Sequence, residues 1–272
     1  MSVDWTQFFD NEWEPKKEEF PEYYELQNEI KSPLNVLWYN MNYEFLDKYP
    51  AKMSSEFATD MIKIYSKKGD LVWDGCCGSG VVPRVAARLQ RSSLGTDINP
   101  KAIELCLKHK EEAGTIGDEY YVADVKTHDF NGGNYFDLIL SSFPFGLNII
   151  GDKNRYSEKD EDLSNSKNFE SFFSGIKLAI QNYYKQLKPA GIMILDARDR
   201  TKEGRYIDVI NYFRDFAKEA GFEMVCRYTY FLMPWSHYTF FNKPTGKAVP
   251  MISTMDAIVM YKPNMKDLSK NY

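Results

Sequence analysis

From about residue 70 onward, short β-type runs alternate with longer helical stretches, a pattern typical of a parallel sheet with helical crossovers. The alternation predicts five strands, which are Leu71–Asp74, Ser93–Asp97, Glu119–Val122, Phe136–Leu140 and Ile192–Leu195. Helices are predicted for Val81–Leu89, from Pro100 onward, for Phe169–Leu187 and for Tyr206–Ala220, with a break at Pro189–Gly191 and a helix end at Gly221. This part of the chain therefore belongs to the α/β class.

The end of the chain lacks the helix that a parallel crossover requires. Phe222–Phe231 and Thr254–Tyr261 have strand character and are separated by a long loop rich in proline, aromatic residues and lysine. Such a pair is predicted to form an antiparallel hairpin at the sheet edge. The predicted fold is a seven-stranded Rossmann-like sheet, mostly parallel, with a terminal antiparallel hairpin.

Charge is unevenly distributed along the 272 residues. Residues 1–30 contain nine acidic and two basic side chains, so they carry −7, whereas the rest carries +2 of the total of −5. This divides the chain into an acidic, aromatic N-terminal extension, residues 1–44, and one domain, residues 45–272. The near-neutral domain is compatible with a local basic face, so the overall acidity does not exclude a nucleic-acid partner.

The cysteines and the apolar runs indicate the cellular compartment of the protein. Cys76, Cys77, Cys106 and Cys226 lack metal-ligand spacing, so they are predicted to be reduced thiols, and no metal site is expected. No apolar run approaches the roughly 18 residues of a membrane span, and the first residues do not resemble a secretory signal. We therefore expect a cytoplasmic protein without a membrane partner.

A glycine-rich turn between the first predicted strand and its helix is the strongest local motif. The turn runs Asp74-Gly-Cys-Cys-Gly-Ser-Gly80, and its candidate cofactor-binding residues are Asp74, Gly75, Cys76, Gly78 and Gly80. Glycines let a ligand approach the backbone without Cβ clashes. The spacing differs from the dinucleotide G-x-G-x-x-G pattern and from the Walker A loop.

Two acidic residues follow the next two strands. Asp97, with Ile98 after it, ends the second strand, where a carboxylate can accept both hydroxyls of a ribose. Asp124, with Val125 after it, follows the third strand, where its oxygen can accept the amino group of an adenine. Three strand-end features in register favour a nucleoside cofactor.

The fourth strand ends in a short polar and aromatic turn, Ser141-Ser-Phe-Pro-Phe-Gly146. Ligands of open α/β sheets bind beyond the carboxyl ends of the strands, so this turn is predicted to face the cofactor site. The Ser142 hydroxyl and the Phe143 carbonyl can accept hydrogen bonds from an NH₂ group. Pro144 stiffens the turn, and Phe145 can stack on the ring that carries the amine.

These motifs resemble those of the amino-methyltransferases that modify adenine N6 or cytosine N4 in DNA. Their catalytic tetrapeptide, (Asp/Asn/Ser)-Pro-Pro-(Tyr/Phe/Trp), is similar to Ser142–Phe145, and their first motif is similar to Asp74–Gly80. Upstream, Lys48–Lys52 resembles the segment that completes the cofactor pocket in many members, which adds Tyr49, Pro50, Ala51 and Lys52 to the candidate cofactor-binding residues. The resemblance covers roughly residues 45–262.

The resemblance implies S-adenosylmethionine (SAM) as cofactor and direct methyl transfer to an exocyclic amine of a flipped DNA base, as in restriction–modification. It departs from the family at Phe143, which replaces the first proline of the tetrapeptide and its fixed φ. Either the site tolerates this change or it has lost methyl transfer. The candidate DNA contacts are residues 147–168 and the aromatic and basic loop 232–251.

Several alternatives remain open on the sequence alone. One is an RNA amino-methyltransferase, and another is an inert SAM-binding subunit that recruits an active partner. A small-molecule methyltransferase is a third, and the Ser142–Phe145 turn counts against it. No autonomous target-recognition domain fits into the chain, so a partner protein or a homodimer is also compatible with it.

Overall fold

An eight-stranded sheet forms the centre of the protein. The computed structural model describes residues 36–40, 53–144, 157, 159–202, 205–233 and 254–264. The strands are β1 Val36–Asn40, β2 Leu71–Asp74, β3 Ser92–Asp97, β4 Asp118–Val122, β5 Phe136–Ser142, β6 Leu187–Ala197, β7 Arg200–Lys202, β8 Arg205–Ile207, β9 Glu223–Met233 and β10 Met255–Tyr261.

Five helices lie in the described ranges, and they are α1 Ser55–Tyr65, α2 Val81–Arg88, α3 Pro100–Ala113, α4 Phe169–Gln186 and α5 Val209–Ala220. A 3₁₀ turn at Leu163–Asn165 precedes α4. None of the helices in the described ranges is long and apolar enough to cross a membrane.

The strand order is β1-β9-β10-β6-β5-β2-β3-β4, and β7 pairs with β8 in a separate hairpin. Strands β4, β3, β2, β5 and β6 run parallel. β10 is antiparallel to both β6 and β9, which confirms the predicted terminal hairpin. The mostly parallel seven-stranded sheet is thus confirmed, and one further strand extends it.

The additional strand, β1, comes from the segment predicted to be an N-terminal extension. It pairs in parallel with β9, from Val36 opposite Thr229 to Asn40 opposite Met233. The Tyr39 ring is buried and packs edge-on against Phe57 and Tyr230. The strand is short and its partner is distant in the sequence, so no local pattern predicted it.

The last crossover helix starts later than predicted. Tyr206 belongs to β8, paired with Thr201, and α5 begins at Val209. Asp208 caps the helix by accepting a hydrogen bond from the Asn211 N–H. A capping carboxylate satisfies an N–H that has no partner inside the helix, which sets the boundary there. At the other end, Gly221 adopts φ +106° as the C-cap, as predicted.

The predicted break at Pro189–Gly191 lies inside β6 as a bulge. Leu187 pairs with Phe136 and Ile192 pairs with Leu138, so the four residues between Leu187 and Ile192 bypass β5. Ala190 has φ +64° and donates its N–H to the Lys262 carbonyl on the other side. Beyond the bulge, β6 pairs with β5 in regular register from Ile192 to Asp196, at the carboxyl edge of the sheet.

Both faces of the sheet are covered, as expected for parallel strands. One core packs α4 and α5 against the sheet around Trp73, Tyr183 and Ile258, and the other packs α1 and α2 around Phe57, Leu138 and Ile194. Alternate residues of each strand face opposite cores, so neighbouring residues at a strand end point to different sides of the site.

Candidate active site

A cleft opens at the carboxyl ends of β2, β3 and β5. Eleven of the residues predicted from the sequence line it: Asp74, Gly75, Cys76, Gly78, Asp97, Ile98, Asp124, Val125, Ser142, Phe143 and Pro144. The structure therefore brings the glycine turn, the two later acidic residues and the tetrapeptide into one site. Tyr49, Pro50, Ala51, Lys52 and Phe145 lie outside the described residues.

The glycine turn is held by the carboxylate that precedes it. Asp74 Oδ1 accepts the Cys76 N–H at 3.1 Å and the Ser141 hydroxyl at 2.8 Å. The Ser141 hydroxyl in turn accepts from Tyr183 at 3.0 Å. Gly78 has φ +52°, a left-handed conformation that suits glycine. The turn is thereby tied to β5 and α4, whose positions fix the floor of the cleft.

Gly80 is not part of the cleft wall. It is the N-cap of α2 with φ +80°, and a Cβ there would come within 2.9 Å of Arg84, Cys106 and Tyr120. The sequence motif therefore combines two demands. Its first glycines shape the cleft, and its last one lets α2 pack closely on α3 and β4.

All four cysteines are free, as predicted.

Asp97 is a structural part of the same turn. Its Oδ2 accepts the Gly78 N–H at 3.0 Å, and its Oδ1 accepts the Asn99 N–H at 2.9 Å. The side chain is only 8% exposed. Each carboxylate oxygen has a second lone pair, so Asp97 still has acceptor capacity for ligand hydroxyls.

Burial raises the pKa of both acidic residues in the floor of the cleft. The pKa of Asp74 is raised to about 7, mainly by desolvation, with Asp97 and Asp196 adding to the rise and the bonds from Ser141 and Cys76 opposing it. The pKa of Asp97 is raised to about 6, also by desolvation first, with Asp162 adding to it. A cationic ligand relieves this repulsion between buried carboxylates.

The later part of residues 147–168, which the sequence analysis named only as a candidate DNA contact, contributes to the cleft wall. Glu161, Asp162 and Leu163 line it. The buried Asp162 accepts hydrogen bonds from Ser157 at 2.6 Å and from the Ser164 N–H at 2.8 Å. These contacts order a turn whose run of charges resembles solvent-exposed sequence. No local signal identified it.

Lys126 takes up part of the hydrogen-bond acceptor capacity of the Asp124 carboxylate. Asp124 Oδ1 accepts the Lys126 N–H at 2.9 Å, and Lys126 Nζ lies 3.4 Å from Oδ2. The same ammonium group donates to the Glu161 carbonyl. Lys126 thus links the end of β4 to the turn around Asp162, which closes that side of the cleft.

The tetrapeptide turn is anchored by the residue that departs from the family pattern. Phe143 is 4% exposed, and its ring stacks on Tyr183 at 5.7 Å and meets Phe213 edge-on at 5.4 Å. Its backbone stays at the cleft wall. Packing of the ring in the core therefore holds the turn where the family uses the fixed φ of proline.

Ser142, the last residue of β5, lies directly opposite Asp196, the penultimate residue of the neighbouring β6. They are register partners on β5 and β6, with Ser142 in the cleft wall and Asp196 2% exposed. Asp196 Oδ2 accepts the Tyr230 hydroxyl at 2.6 Å. The sequence analysis ended the fifth strand at Leu195 and gave Asp196 no role, so an aspartate at this strand end is the signal that it missed.

The two segments predicted to contact DNA fall mostly outside the described residues. Residues 147–156 and 158 of the first and residues 234–251 of the second lie there. For the second segment, the structure describes only the backbone of its first two residues, which continue β9. Both predictions therefore stay predictions.

Two protein-family models match parts of this chain. The DNA methylase family that comprises N6 and N4 methylases matches residues 3–108, and the methyltransferase domain family matches residues 73–147. The second match spans the glycine turn, Asp97, Asp124 and the tetrapeptide. None of the curated proteins compared with this sequence matches it significantly.

Solved structures share the fold at low sequence identity. TrmN from Thermus thermophilus has 15% identity to this chain and a TM-score of 0.52, over 78% of this chain and 50% of its own. A SAM-dependent methyltransferase from Methanosarcina mazei has 16% identity and a TM-score of 0.52 over 80% and 99% of the two chains. The [4+2]-cyclase SpnF has 14% identity and a TM-score of 0.54 over 80% and 86%.

The sheet order, the glycine turn with its strand-end carboxylates, and the family matches agree with one another. At these identities the solved structures establish the fold and leave the substrate open. The cofactor follows from the family and from the site that the family motif forms. The chain carries a SAM-dependent methyltransferase domain similar to those of the amino-methyltransferases, and S-adenosylmethionine is its cofactor.

Proposed function

We propose that this methyltransferase modifies an exocyclic amino nitrogen of a base in DNA, either cytosine N4 or adenine N6. The observation that carries the proposal is the Ser142–Pro144 turn, which lines the same cleft as the cofactor-binding glycine turn. The DNA methylase match supports the same substrate class. Serine at the first position of the tetrapeptide slightly favours cytosine N4.

The residues of the cleft suit the cofactor. Asp97 has lone pairs for ribose hydroxyls, Asp124 lies where an adenine amino group is expected, and the buried carboxylates favour a cationic ligand. When bound, SAM supplies a methyl carbon activated by its sulfonium, so the protein needs no covalent nucleophile.

The tetrapeptide prepares the acceptor amine. An exocyclic amine is a poor nucleophile because its lone pair is delocalised into the ring. Acceptors at the Ser142 hydroxyl and the Phe143 carbonyl draw both N–H bonds toward themselves and localise the lone pair. Holding the amine in line with the methyl carbon supplies much of the remaining rate enhancement.

A base inside a duplex cannot reach this cleft, so it must be flipped out at a cost of a few kcal/mol. The loop 232–251 is our candidate for replacing the lost stacking and contacting phosphates, because it combines Trp235, Tyr238 and Phe240 with Lys243 and Lys247. Its first two residues end β9, and β10 separates β9 from β6, the strand that carries Asp196.

The direct test is to incubate the full chain with SAM labelled on the methyl group and with long duplex DNA, then digest the DNA to nucleosides. We expect label in N4-methylcytosine or N6-methyladenine. Structured RNA is the parallel substrate, and label in RNA alone would replace DNA by RNA in the proposal. If the chain binds SAM but labels neither nucleic acid, it is a regulatory subunit or acts on another acceptor.

The acidity of the cleft predicts a pH-dependent cofactor affinity. Because the pKa of Asp97 is raised to about 6, the carboxylate is ionised at pH 8 and mostly protonated at pH 5. The ionised form is the better acceptor for ribose hydroxyls. Calorimetry should therefore show SAM affinity falling about tenfold from pH 8 to pH 5. Asp97→Asn is the control, and an equally steep pH dependence in that variant would contradict this assignment.

A further inference from the structure

Ser142 presents a problem of hydrogen-bond polarity. A carboxylate at the first position of the tetrapeptide offers only lone pairs, whereas a serine hydroxyl is both a donor and an acceptor. To accept an N–H of the substrate amine, the hydroxyl must direct its own proton elsewhere. The group that takes this proton decides whether Ser142 presents a lone pair or a hydrogen to the substrate.

Asp196 is placed to take that proton. It lies directly across from Ser142 in the parallel pairing of β5 and β6, so the two side chains leave the sheet on the same face. Oδ2 of Asp196 is occupied by the Tyr230 hydroxyl at 2.6 Å. Oδ1 is buried, and no residue in the described part of the chain forms a hydrogen bond with it.

A buried carboxylate oxygen without a donor is costly, which indicates a function in the occupied site. Burial raises the pKa of Asp196 to about 6, and the hydroxyls of Tyr230 and Ser142 oppose that rise. Asp196 is therefore ionised at neutral pH. An ionised Oδ1 is a strong acceptor for a neighbouring hydroxyl.

We propose that Asp196 is a positioning residue for Ser142: its Oδ1 holds the Ser142 hydroxyl proton, so that the serine lone pairs face the substrate amine. The inference rests on the proposed function, since it assigns an amine to that turn. Ser141 provides the contrast. It points to the other face of the sheet, where it donates to Asp74.

The surroundings of Asp196 determine how a titration must be read. The titratable groups that act on it or on its partner are Tyr230 on β9, Asp74 on β2, Tyr39 on β1 and Arg198, which follows β6. Its register partner on β10 is Ala257, which carries no charge. Variants of Ser142 and Tyr230 change the direct hydroxyl donors and leave Asp74, Tyr39 and Arg198 in place.

The first experiment needs no substrate. The full chain is labelled with ¹³C at the aspartate carboxyl carbons, and the Asp196 signal is assigned by its absence in Asp196→Asn. We expect the Asp196 pKa to rise by about one unit in Ser142→Ala, because a hydrogen bond to the charged form is lost. Tyr230→Phe should cause a rise of similar size, and Ser141→Ala should leave the signal near its wild-type midpoint. An unchanged midpoint in Ser142→Ala, with a shift in Tyr230→Phe, would overturn the inference.

The second experiment measures the methyl-transfer rate at saturating SAM. Asp196→Leu removes the acceptor, and we expect about a 30-fold lower rate with SAM affinity unchanged. Asp196→Asn keeps a carbonyl oxygen, so it should recover most of the methyl-transfer rate. In the wild type we expect this rate to fall toward pH 5 as Asp196 is protonated, and Asp196→Asn should lose that fall. Equal rates and equal pH profiles in both variants would overturn the inference. If the chain does not methylate DNA, the proposed substrate is wrong. The titration of Asp196 would still test its contact with Ser142, because that experiment uses no substrate.

Discussion

Replacing Gly75 with alanine should abolish measurable SAM binding and lower the melting temperature by about 8 °C or more. An added Cβ would lie 2.3 Å from the Tyr183 Oη and 2.6 Å from the Val125 Cγ2. Tyr183 is fully buried and packs against Trp73 and Phe143, so it has no room to withdraw. Strain of about 3 kcal/mol, the upper end of the usual range for overpacking, corresponds to this shift at roughly 2–4 °C per kcal/mol.

Cofactor binding should fail because the clash displaces the turn that we expect to contact the cofactor. A displacement of about 1 Å in a positioned site can weaken function by about 100-fold. The measurements are a thermal melt and calorimetric titration with SAM.

Gly114→Ala is the matched control. Gly114 has φ +62° and no atom within 4 Å of an added Cβ, so alanine there meets only the backbone cost of a left-handed conformation. That cost is about 1–2 kcal/mol, which predicts a small fall in melting temperature and unchanged SAM binding. Equal effects of the two variants would show that the crowding around Gly75 is not what limits this site.

Replacing Ser142 with alanine should lower the methyl-transfer rate by about 10² to 10³-fold while SAM binds normally. The change removes the acceptor that localises the amine lone pair, and the loss of one preorganised hydrogen bond in an active site typically has an effect of this size. Among the described residues, Ser142 forms no hydrogen bond with the glycine turn, whereas Ser141 bonds to Asp74. The measurement is the single-turnover rate with SAM already bound.

The neighbouring serine separates chemistry from cofactor binding. Ser141 donates to Asp74 at 2.8 Å and accepts from Tyr183 at 3.0 Å, so it supports the cofactor turn. Ser141→Ala should therefore weaken SAM binding, with a smaller effect on the rate at saturation. If Ser142→Ala kept the wild-type rate, the tetrapeptide would not be the catalytic turn.

Much of the sheet was predictable because its signals are local. Continuous apolar runs such as Phe136–Leu140 and amphipathic stretches such as Phe169–Leu187 repeat with the periods of a buried strand and of a helix. Turn residues marked several boundaries, including the helix end at Gly221. The start of α5 was misplaced because Tyr206 suits a helix equally well, and only the pairing of β7 with β8 assigns it to a strand.

The candidate site was predictable to the extent that topology brings strand ends together. Asp74, Asp97 and Ser142 each end a strand, and parallel strands end at the same edge, so their convergence follows from the fold class. The hydrogen-bond partners did not follow from it. That Asp97 holds Gly78 and that Asp162 joins the cleft depends on contacts across 19 residues and more.

The sequence by itself determined the fold class, the glycine turn and the order of the functional segments, because each depends on residues within one or two turns of chain. Only the tertiary structure decided that β1 extends the sheet, that Phe143 anchors its turn in the core, and that Asp196 faces Ser142. These depend on strand register and on side-chain packing between distant segments. Register and packing are set by the whole assembled core, so they have no local signal in the chain.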